Sequence, residues 1–199
     1  MGYYLLKYLV YPFVKIFWLG DITGLENVPK KGSFIIAANH SSYFDFILLY
    51  VIIPRRMTFL AAEKFFTSNF WRPIMKITGQ IKVDRESSNK EEVYDKVDKL
   101  IKNKGVLGLF PEGTRSRSGK MQKAYSGVAK FAYKYNIPVV PVGVIGAYEI
   151  MSPHDKLPKL KKCKINIGAK LNVASDDYEN EARKIMKKIS VLSGQSYEF

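Results

Sequence analysis

Short apolar runs of strand length alternate along this chain with longer stretches in which apolar residues recur every three or four positions. That alternation is typical of layered α/β structure. The sequence therefore predicts an α/β fold, a single layered domain with a mixed, largely parallel central sheet flanked by helices. The length of 199 residues suits one sizeable hydrophobic core, and no internal repeat or low-complexity segment interrupts it.

Apolar runs bounded by glycine, proline or polar residues predict the strands. The predicted strands are residues 23–28, 34–38, 57–61, 80–83, 106–110, 137–144 and 164–168. In the sixth of them, Pro138 and Pro141 restrict the hydrogen bonds that the strand can form. The single cysteine, Cys163, adjoins the last strand and is read as an inert thiol. One cysteine excludes an internal disulfide and fits a reducing compartment.

Helical periodicity predicts the elements between the strands. Four of the predicted helices and helical segments are residues 46–53, 65–77, 124–135 and 178–192. A further helix between the second and third of these begins at a capping box from Ser88 to Glu91 and ends at Gly105. The 124–135 helix is expected to end near Asn136. The 65–77 segment is rich in aromatic residues, and its pattern fits membrane contact and core packing equally well.

Residues 3–19 form an aromatic and apolar stretch that carries Lys7, Lys15 and Pro12. A membrane-spanning helix needs about 20 mostly apolar residues, whereas tyrosine and tryptophan prefer the headgroup level. We therefore expect residues 1–20 to form an N-terminal interfacial membrane helix, with its lysines near anionic headgroups, and residues 21–199 to form the α/β domain. A helix that only caps the core is the alternative.

The formal net charge of +14 predicts a polyanionic partner. An anionic membrane surface, nucleic acid and an anionic substrate all fit this charge. The lysines include a rich stretch over residues 156–170 but follow no nucleic-acid-binding motif, so no nucleic acid partner is expected. A non-catalytic basic protein that binds anionic membranes is therefore the alternative function from another class.

The stretch from Asn39 to Asp45 carries the first candidate chemistry. His40 follows a buried strand, and Asp45 comes five residues later. A neutral imidazole can accept a proton from a hydroxyl, provided that a partner on its other nitrogen fixes the tautomer. The competing interpretation is structural, because Ser42 and Asp45 also have the spacing of a helix capping box.

Two further stretches carry cationic side chains. Residues 110–120 follow a buried strand and place Arg115, hydroxyls and glycines in one loop, a composition that suits a phosphate or carboxylate site as well as a solvated basic turn. Glu112 is expected to brace Arg115 or to bind a substrate hydroxyl. Residues 79–85 end in an Asp84-Arg85 pair, which is read either as part of the same anion site or as a surface ion pair. The apolar run 139–144 is read as core or as a wall for an acyl chain.

Four motifs occur in order along the chain. They are Asn-His-x-Ser-x-x-Asp from Asn39, Gly-x-Ile-x-Val-Asp-Arg from Gly79, Phe-Pro-Glu-Gly-Thr-Arg-Ser from Phe110, and Val-Val-Pro-Val from Val139. Together, over about residues 20–170, they resemble the four blocks of the glycerolipid acyltransferases, particularly the 1-acylglycerol-3-phosphate acyltransferases. The resemblance implies that His40 is the general base and that Asp45 orients it. The substrate-binding residues that it implies are Arg85, Glu112, Gly113, Thr114, Arg115 and Ser116.

The resemblance also implies the reaction and its partners. An acyl chain passes from an acyl thioester, carried on acyl carrier protein or coenzyme A, to the free hydroxyl of 1-acylglycerol 3-phosphate and forms phosphatidic acid. Another lysophospholipid or glycerol 3-phosphate is the alternative acceptor. No cofactor is expected beyond the thioester substrate, and no metal, since His154 lies in a predicted loop without the spacing of metal ligands. The expected location is the cytoplasmic face of the cell membrane.

Overall fold

A computed structural model describes residues 2–83 and 91–199 of the chain. Its centre is a seven-stranded sheet in the order β1-β7-β6-β2-β5-β3-β4. The strands are β1 Leu19–Thr23, β2 Phe34–Ala38, β3 Met57–Ala62, β4 Ile81–Val83, β5 Val106–Leu109, β6 Val139–Ile145 and β7 Cys163–Ile167. Strands β6 and β7 pair antiparallel, and each of the other neighbouring pairs is parallel. The predicted α/β class with a mixed, largely parallel sheet is confirmed.

Helices cover both faces of this sheet. They are α1 Gly2–Phe17, α2 Tyr43–Ile52, α3 Lys64–Thr67, α4 Trp71–Thr78, α5 Glu91–Lys102, α6 Gly127–Tyr135, α7 Ala147–Ile150 and α8 Tyr178–Ser193. Helices α1, α2 and α7 pack on one face, in a core that includes Phe34 and Ile36. Helices α5, α6 and α8 pack on the other face, around Ile35 and Ala37. Alternate residues of β2 thus serve the two cores, as expected for a central strand buried on both sides.

The prediction of a strand over residues 23–28 was wrong. The strand β1 ends at Thr23, and a short 3-10 helix covers Leu25–Asn27. The reason lies at Gly24, which has a φ of +74° and lies so close to β7 that an added Cβ would stand 1.9 Å from the Ile167 carbonyl oxygen. A left-handed residue in this position ends the strand.

Two predicted helices have different bounds in the structure. The 65–77 segment is divided into α3 and α4, with the aromatic side chains of Phe65 and Trp71 packed edge to face between them. The 124–135 helix begins only at Gly127, because the Tyr125 amide donates to the Pro111 carbonyl of a preceding loop. Its end at Asn136, with a φ of 48°, is as predicted. The capping box at Ser88 lies outside the described residues.

The buried helix predicted for residues 46–53 corresponds to α2, and Cys163 is buried at the start of β7, where burial raises the pKa of its thiol to about 11. The pairing of β6 with β7 begins at Val142, one residue after Pro141. The amide that Pro141 lacks is therefore not needed for a hydrogen bond between these two strands. Pro138 precedes the strand. Residues 139–144 are all buried, as expected for core; a wall for an acyl chain stays a prediction.

Helix α1 is apolar on two sides. One side contacts the core through Tyr3 and Val14, whereas Leu5, Leu9 and Phe13 are exposed. The expected position of Lys7 near headgroups was wrong, because its side chain is buried and its Nζ donates to the Ile53 carbonyl at the end of α2. Burial lowers the pKa of Lys7 to about 8. Within residues 2–83 and 91–199, no helix combines the length and the apolar character needed to cross a bilayer.

Candidate active site

Two loops meet where the neighbouring strands β2 and β5 end. The strands are parallel and in register, with Ala37 beside Leu109. The chain leaves β2 towards His40 and leaves β5 towards Glu112, so residues 72 positions apart become neighbours. Carboxyl ends of parallel strands are the usual place for ligands in α/β sheets.

His40 and Asp45 form a hydrogen-bonded pair at this edge. The His40 Nδ1 and the Asp45 Oδ2 are 2.9 Å apart. The carboxylate is fully buried, and 16% of the imidazole side chain is exposed. Since Asp45 accepts the proton of Nδ1, the other ring nitrogen, Nε2, is the basic one, and no described residue binds it. The imidazole is thus oriented, accessible and able to accept a proton.

Asp45 also closes the first turn of α2. Its Oδ2 accepts the amides of Ser41 and Ser42 at 2.7 and 2.8 Å, while the Ser42 hydroxyl accepts the Phe44 amide at 3.0 Å. The Ser42 hydroxyl donates in turn to the Met151 carbonyl. The Asp45 carboxylate therefore both caps helix α2 and binds the His40 imidazole, so the two interpretations of this motif hold together. The cap fixes the position of the Asp45 side chain, and the side chain orients the imidazole.

Aromatic rings set the plane of the imidazole. The His40 ring stacks on Phe110 with 3.9 Å between centroids and 11° between planes. Phe110 stacks in turn on Phe59. Packing on one face and a hydrogen bond at Nδ1 together leave the His40 side chain little freedom to rotate.

Glu112 turns back towards His40. Its Oε1 accepts the His40 amide at 2.8 Å, and its Oε2 accepts the Gln122 amide at 2.9 Å. The Ser116 amide donates to the His40 carbonyl at 2.8 Å, so the two loops are joined at both backbone groups of His40. Burial raises the pKa of the Glu112 carboxyl to about 7, although the amide donors oppose that shift. The expected brace between Glu112 and Arg115 was wrong, because the described partners of Glu112 are the His40 amide and the amide and side chain of Gln122. A bond from Glu112 to a substrate hydroxyl stays a prediction.

Arg115 is held by a ring rather than by an ion pair. Its guanidinium carbon lies 3.5 Å from the centroid of the Tyr43 ring, a close cation–π contact. The other neighbours of Tyr43 are Trp71, which stacks on it, and Phe65, which meets it edge-on. Within the described residues the buried Nη1 of Arg115 has no hydrogen-bond partner. A buried donor left without a partner is rare and marks a place where an anion can bind.

The remaining predicted residues differ in their placement. Gly113 adopts a φ of +69° and lies against the Tyr125 ring, Thr114 is exposed and offers its carbonyl to Gln122, and Ser116 is buried. Arg85 lies outside the described residues. The structure thus brings Arg115 and the loop that carries it to the His40–Asp45 pair.

Sequence reasoning missed Tyr43 and Gln122. Tyr43 lies inside the first motif at a position that the motif leaves open, and Gln122 follows the third motif. Neither carries a local signal, because each acquires its role from a residue more than nine positions away or on another element.

An apolar cavity adjoins the start of α2. It has a volume of about 320 Å³ and is lined by Leu9, Val10, Phe13, Val14, Trp18, Phe44 and Ile47. Since Phe44 precedes Asp45 in the chain, the cavity lies between helix α1 and the turn that carries the pair. In the part of the chain that the structure describes, no group of three or more His, Cys, Asp or Glu side chains is arranged to hold a metal ion.

Comparison with known proteins places this site in a family. Residues 21–145 match the acyltransferase family. The chain is 31% identical over 150 residues to the 1-acyl-sn-glycerol-3-phosphate acyltransferase of Bacillus subtilis, covering 75% of this chain and 72% of that protein. It is 34% identical over 138 residues to the enzyme of the same name from Saccharomyces cerevisiae, covering 66% of this chain and 45% of that protein.

A solved structure has the same fold. The crystal structure of the 1-acyl-sn-glycerophosphate acyltransferase PlsC from Thermotoga maritima superposes with a TM-score of 0.78, and the alignment covers 98% of this chain and 83% of the other at 22% sequence identity. This likeness confirms the fold in which the motifs at the ends of β2 and β5 lie. Together with the match over residues 21–145, these comparisons show that the chain belongs to the acyltransferase family and is an O-acyltransferase of the 1-acylglycerol-3-phosphate type.

Proposed function

We propose that this enzyme transfers an acyl chain from a thioester, on acyl carrier protein or coenzyme A, to the free hydroxyl of 1-acylglycerol 3-phosphate and so forms phosphatidic acid. The observation that carries the proposal is the His40 Nδ1–Asp45 Oδ2 pair, 2.9 Å apart, which leaves the imidazole Nε2 available beside a loop with an unpartnered guanidinium nitrogen. A base and an anion-binding group so placed match a substrate that carries a hydroxyl and a phosphate.

His40 acts as the general base. Its Nε2 takes the proton of the acceptor hydroxyl while the hydroxyl oxygen attacks the thioester carbonyl carbon, and Asp45 stabilises the imidazolium that forms. The carbon–sulfur bond then breaks, and the imidazolium returns the proton to the departing thiolate. No acyl-enzyme intermediate is required, because the Ser42 hydroxyl is already engaged by Met151 and by the Phe44 amide.

Arg115 binds the acceptor's phosphate through its free Nη1 and places the hydroxyl beside His40. Arg85, which the second motif implicates, is the proposed second phosphate ligand. The proposed substrate loop otherwise comprises Glu112, Gly113, Thr114 and Ser116, and Glu112 also holds the backbone of both loops together.

Helix α1 is proposed to lie in the interfacial region of the membrane, at its cytoplasmic face. Support comes from its exposed apolar side, which includes Leu5, Leu9 and Phe13, and from Lys15, which remains in solvent. The apolar cavity between α1 and Phe44 can hold an acyl chain near the His40–Asp45 pair. The acceptor therefore meets the site without leaving a lipid environment.

The chain supplies its own control for the central test, because it contains only two histidines. His40→Ala is expected to lower kcat for acyl transfer to lysophosphatidate by about 10²- to 10⁴-fold, since a positioned base contributes that much. His154→Ala removes an imidazole whose Nε2 contacts only the Arg117 carbonyl among the described residues, and it should keep the wild-type rate. Initial rates with acyl-coenzyme A and with acyl-acyl carrier protein measure both variants.

Full activity in His40→Ala would refute the mechanism. The same assay with glycerol 3-phosphate and other lysolipids tests the acceptor. A higher kcat/KM for one of these than for lysophosphatidate would replace the proposed acceptor and leave the role of His40 unchanged. Wild-type protein that transfers no acyl group to any of them, yet binds anionic vesicles, would favour the non-catalytic alternative.

A further inference from the structure

A segment outside the site leaves leucines and lysines together in solvent. We call residues 152–162 the lysine–leucine loop. Leu157 and Leu160 in this loop are 77% and 73% exposed. A single exposed leucine is ordinary, but these two stand three positions apart and are flanked by Lys156, Lys159, Lys161 and Lys162.

One end of the loop is bound to the membrane-facing helix proposed above. The Lys162 Nζ donates to the carbonyls of Lys15 and Leu19, at 3.1 and 3.2 Å, and to that of Ile16. The Trp18 indole donates to the Lys159 carbonyl at 3.0 Å. The loop therefore binds the free carbonyls at the C-terminal end of α1. It lies beside the exposed side chain of Ile16 in the last turn of that helix.

The other end of the loop reaches the rim of the active site. The residue before it, Met151, accepts the Ser42 hydroxyl at 2.7 Å. The His154 Nε2 lies 3.3 Å from the carbonyl of Arg117, the residue that follows the third motif. The lysine–leucine loop thus runs along the surface from the mouth of the site to α1.

The positive charge of the lysine–leucine loop indicates that it binds an anionic surface. It carries four lysines and one acidic residue, Asp155, which pairs with Lys159 at 2.9 Å. In the described part of the chain, Lys156 and Lys161 form no ion pair. A basic residue near an anionic bilayer strengthens binding by about fivefold, and leucines beside it can enter the interface. Alternating lysines and leucines therefore fit anionic lipid.

We propose that the lysine–leucine loop is a second membrane-contacting element. It inserts Leu157 and Leu160 between anionic headgroups and holds the mouth of the site against the lipid surface. This inference rests on the proposed function, in which α1 contacts the membrane and the acceptor is a lipid, and it extends that contact to a segment far from α1 in sequence.

Vesicle binding by the full chain tests the proposal. The variant Leu157→Ser with Leu160→Ser is compared with Val191→Ser, which changes a residue that is 80% exposed on α8, across the sheet from α1. Binding is measured by co-sedimentation with vesicles of phosphatidylcholine, with and without phosphatidylglycerol. The double leucine variant should bind the anionic vesicles about tenfold more weakly, and Val191→Ser should bind like wild type. Turnover of a monomeric short-chain acceptor should stay unchanged in both.

A charge variant separates the lysines from the leucines. Lys156→Gln with Lys161→Gln should weaken binding to phosphatidylglycerol vesicles by about tenfold or more and leave binding to pure phosphatidylcholine unchanged. Equal affinity of the leucine variant, the lysine variant and wild type would overturn the proposal. A raised KM for an acyl carrier protein donor with unchanged vesicle binding would overturn it too, and would assign the loop to an acidic protein partner.

A variant of α1 distinguishes failure of this inference from failure of the proposed function. Leu9→Ser with Phe13→Ser should also weaken vesicle binding, because both side chains are exposed. If this variant loses binding while the loop variants do not, the loop plays no part and the membrane role of α1 stands. If none of the variants loses binding, the proposed membrane contact fails together with the loop.

Discussion

The two loops of the candidate active site hold His40 and Arg115 in different ways. After β2, the His40 imidazole is fixed by a directional hydrogen bond to Asp45, which is itself fixed by two backbone amides. After β5, the Arg115 guanidinium rests on the Tyr43 ring and keeps a buried nitrogen without a partner. The first arrangement suits a group that must have one orientation in the transition state. The second suits a group that must keep its donors for a ligand.

We therefore expect changes at the His40–Asp45 pair to lower kcat, and changes at the Arg115 guanidinium or at the Tyr43 ring beneath it to raise the acceptor KM. The largest effect is expected from Asp45→Asn, because the imidazole loses the acceptor that selects its tautomer. The value of kcat should fall by about 10²- to 10⁴-fold, with a smaller change in the acceptor KM. Steady-state kinetics with varied acceptor measure both constants.

Ser42→Ala is the matched control for Asp45→Asn, since it weakens the same helix cap but keeps the bond between the carboxylate and the imidazole. It should lower the free energy of unfolding by about 1 kcal/mol and change kcat by only a few-fold. A loss of kcat in Ser42→Ala as large as in Asp45→Asn would mean that the carboxylate acts only as a cap.

Glu112 joins the two loops, and its titration is expected to affect stability. Burial raises the pKa of its carboxyl to about 7, so the folded state binds this proton more tightly than the unfolded chain does. Stability from this group is then highest below about pH 4.5 and falls as the pH rises to about 7. The decrease should reach about 3 kcal/mol, since each pKa unit corresponds to about 1.4 kcal/mol.

Glu112→Gln removes this titration, so its free energy of unfolding should fall less between pH 5 and pH 8 than that of wild type. Urea unfolding at the two pH values measures the difference. Glu149→Gln changes an exposed carboxylate on α7 and should keep the wild-type dependence on pH. Parallel pH profiles for wild type and Glu112→Gln would show that the carboxyl does not titrate in this range.

Arg115→Ala should raise the KM for the phosphorylated acceptor by about 10- to 100-fold, because it removes a charged hydrogen bond. The KM for the thioester donor should stay the same. Arg117→Ala is the matched control, since Arg117 is exposed in the same loop. Equal effects of the two substitutions on the acceptor KM would show that Arg115 is not a specific phosphate ligand. The loop after β5 would then act only through its overall positive charge.

The smallest effect is expected at Tyr43. Tyr43→Leu removes the ring under the guanidinium and should raise the acceptor KM by about three- to tenfold, in keeping with a cation–π contact. Tyr43→Phe keeps the ring and should behave like wild type. In an Arg115→Ala background, Tyr43→Leu should have little further effect, because residues that act through one contact are not additive. Additive effects would show that Tyr43 acts independently of Arg115.

The sequence predicted the elements that depend on local pattern. The apolar runs at β2 and β5 and the serine and aspartate of the α2 cap are encoded in neighbouring residues, and the structure places them as expected. The strand at residues 23–28 was mispredicted, because a close approach of Gly24 to β7 decides where β1 ends. The orientation of Lys7 was mispredicted as well, since the carbonyl that it meets belongs to another helix.

The candidate site was predictable only in part, for the same reason. His40 and Asp45 are five residues apart, so their pairing follows from a local turn. The bonds from Glu112 to His40 and the contact of Arg115 with Tyr43 join residues 72 positions apart in both cases. Such contacts depend on the order of strands in the sheet, which periodicity does not specify.

The parallel register of β2 and β5 has a consequence for how this protein can vary. Because Ala37 lies beside Leu109, the positions of both loops are set by two adjacent strands. The chain between them, with β3, β4 and helices α3 to α5, leaves the site and returns to it at fixed points. Insertions or deletions in that part of the chain can therefore reshape the neighbouring surface, while the two adjacent strands keep His40 and Glu112 in place.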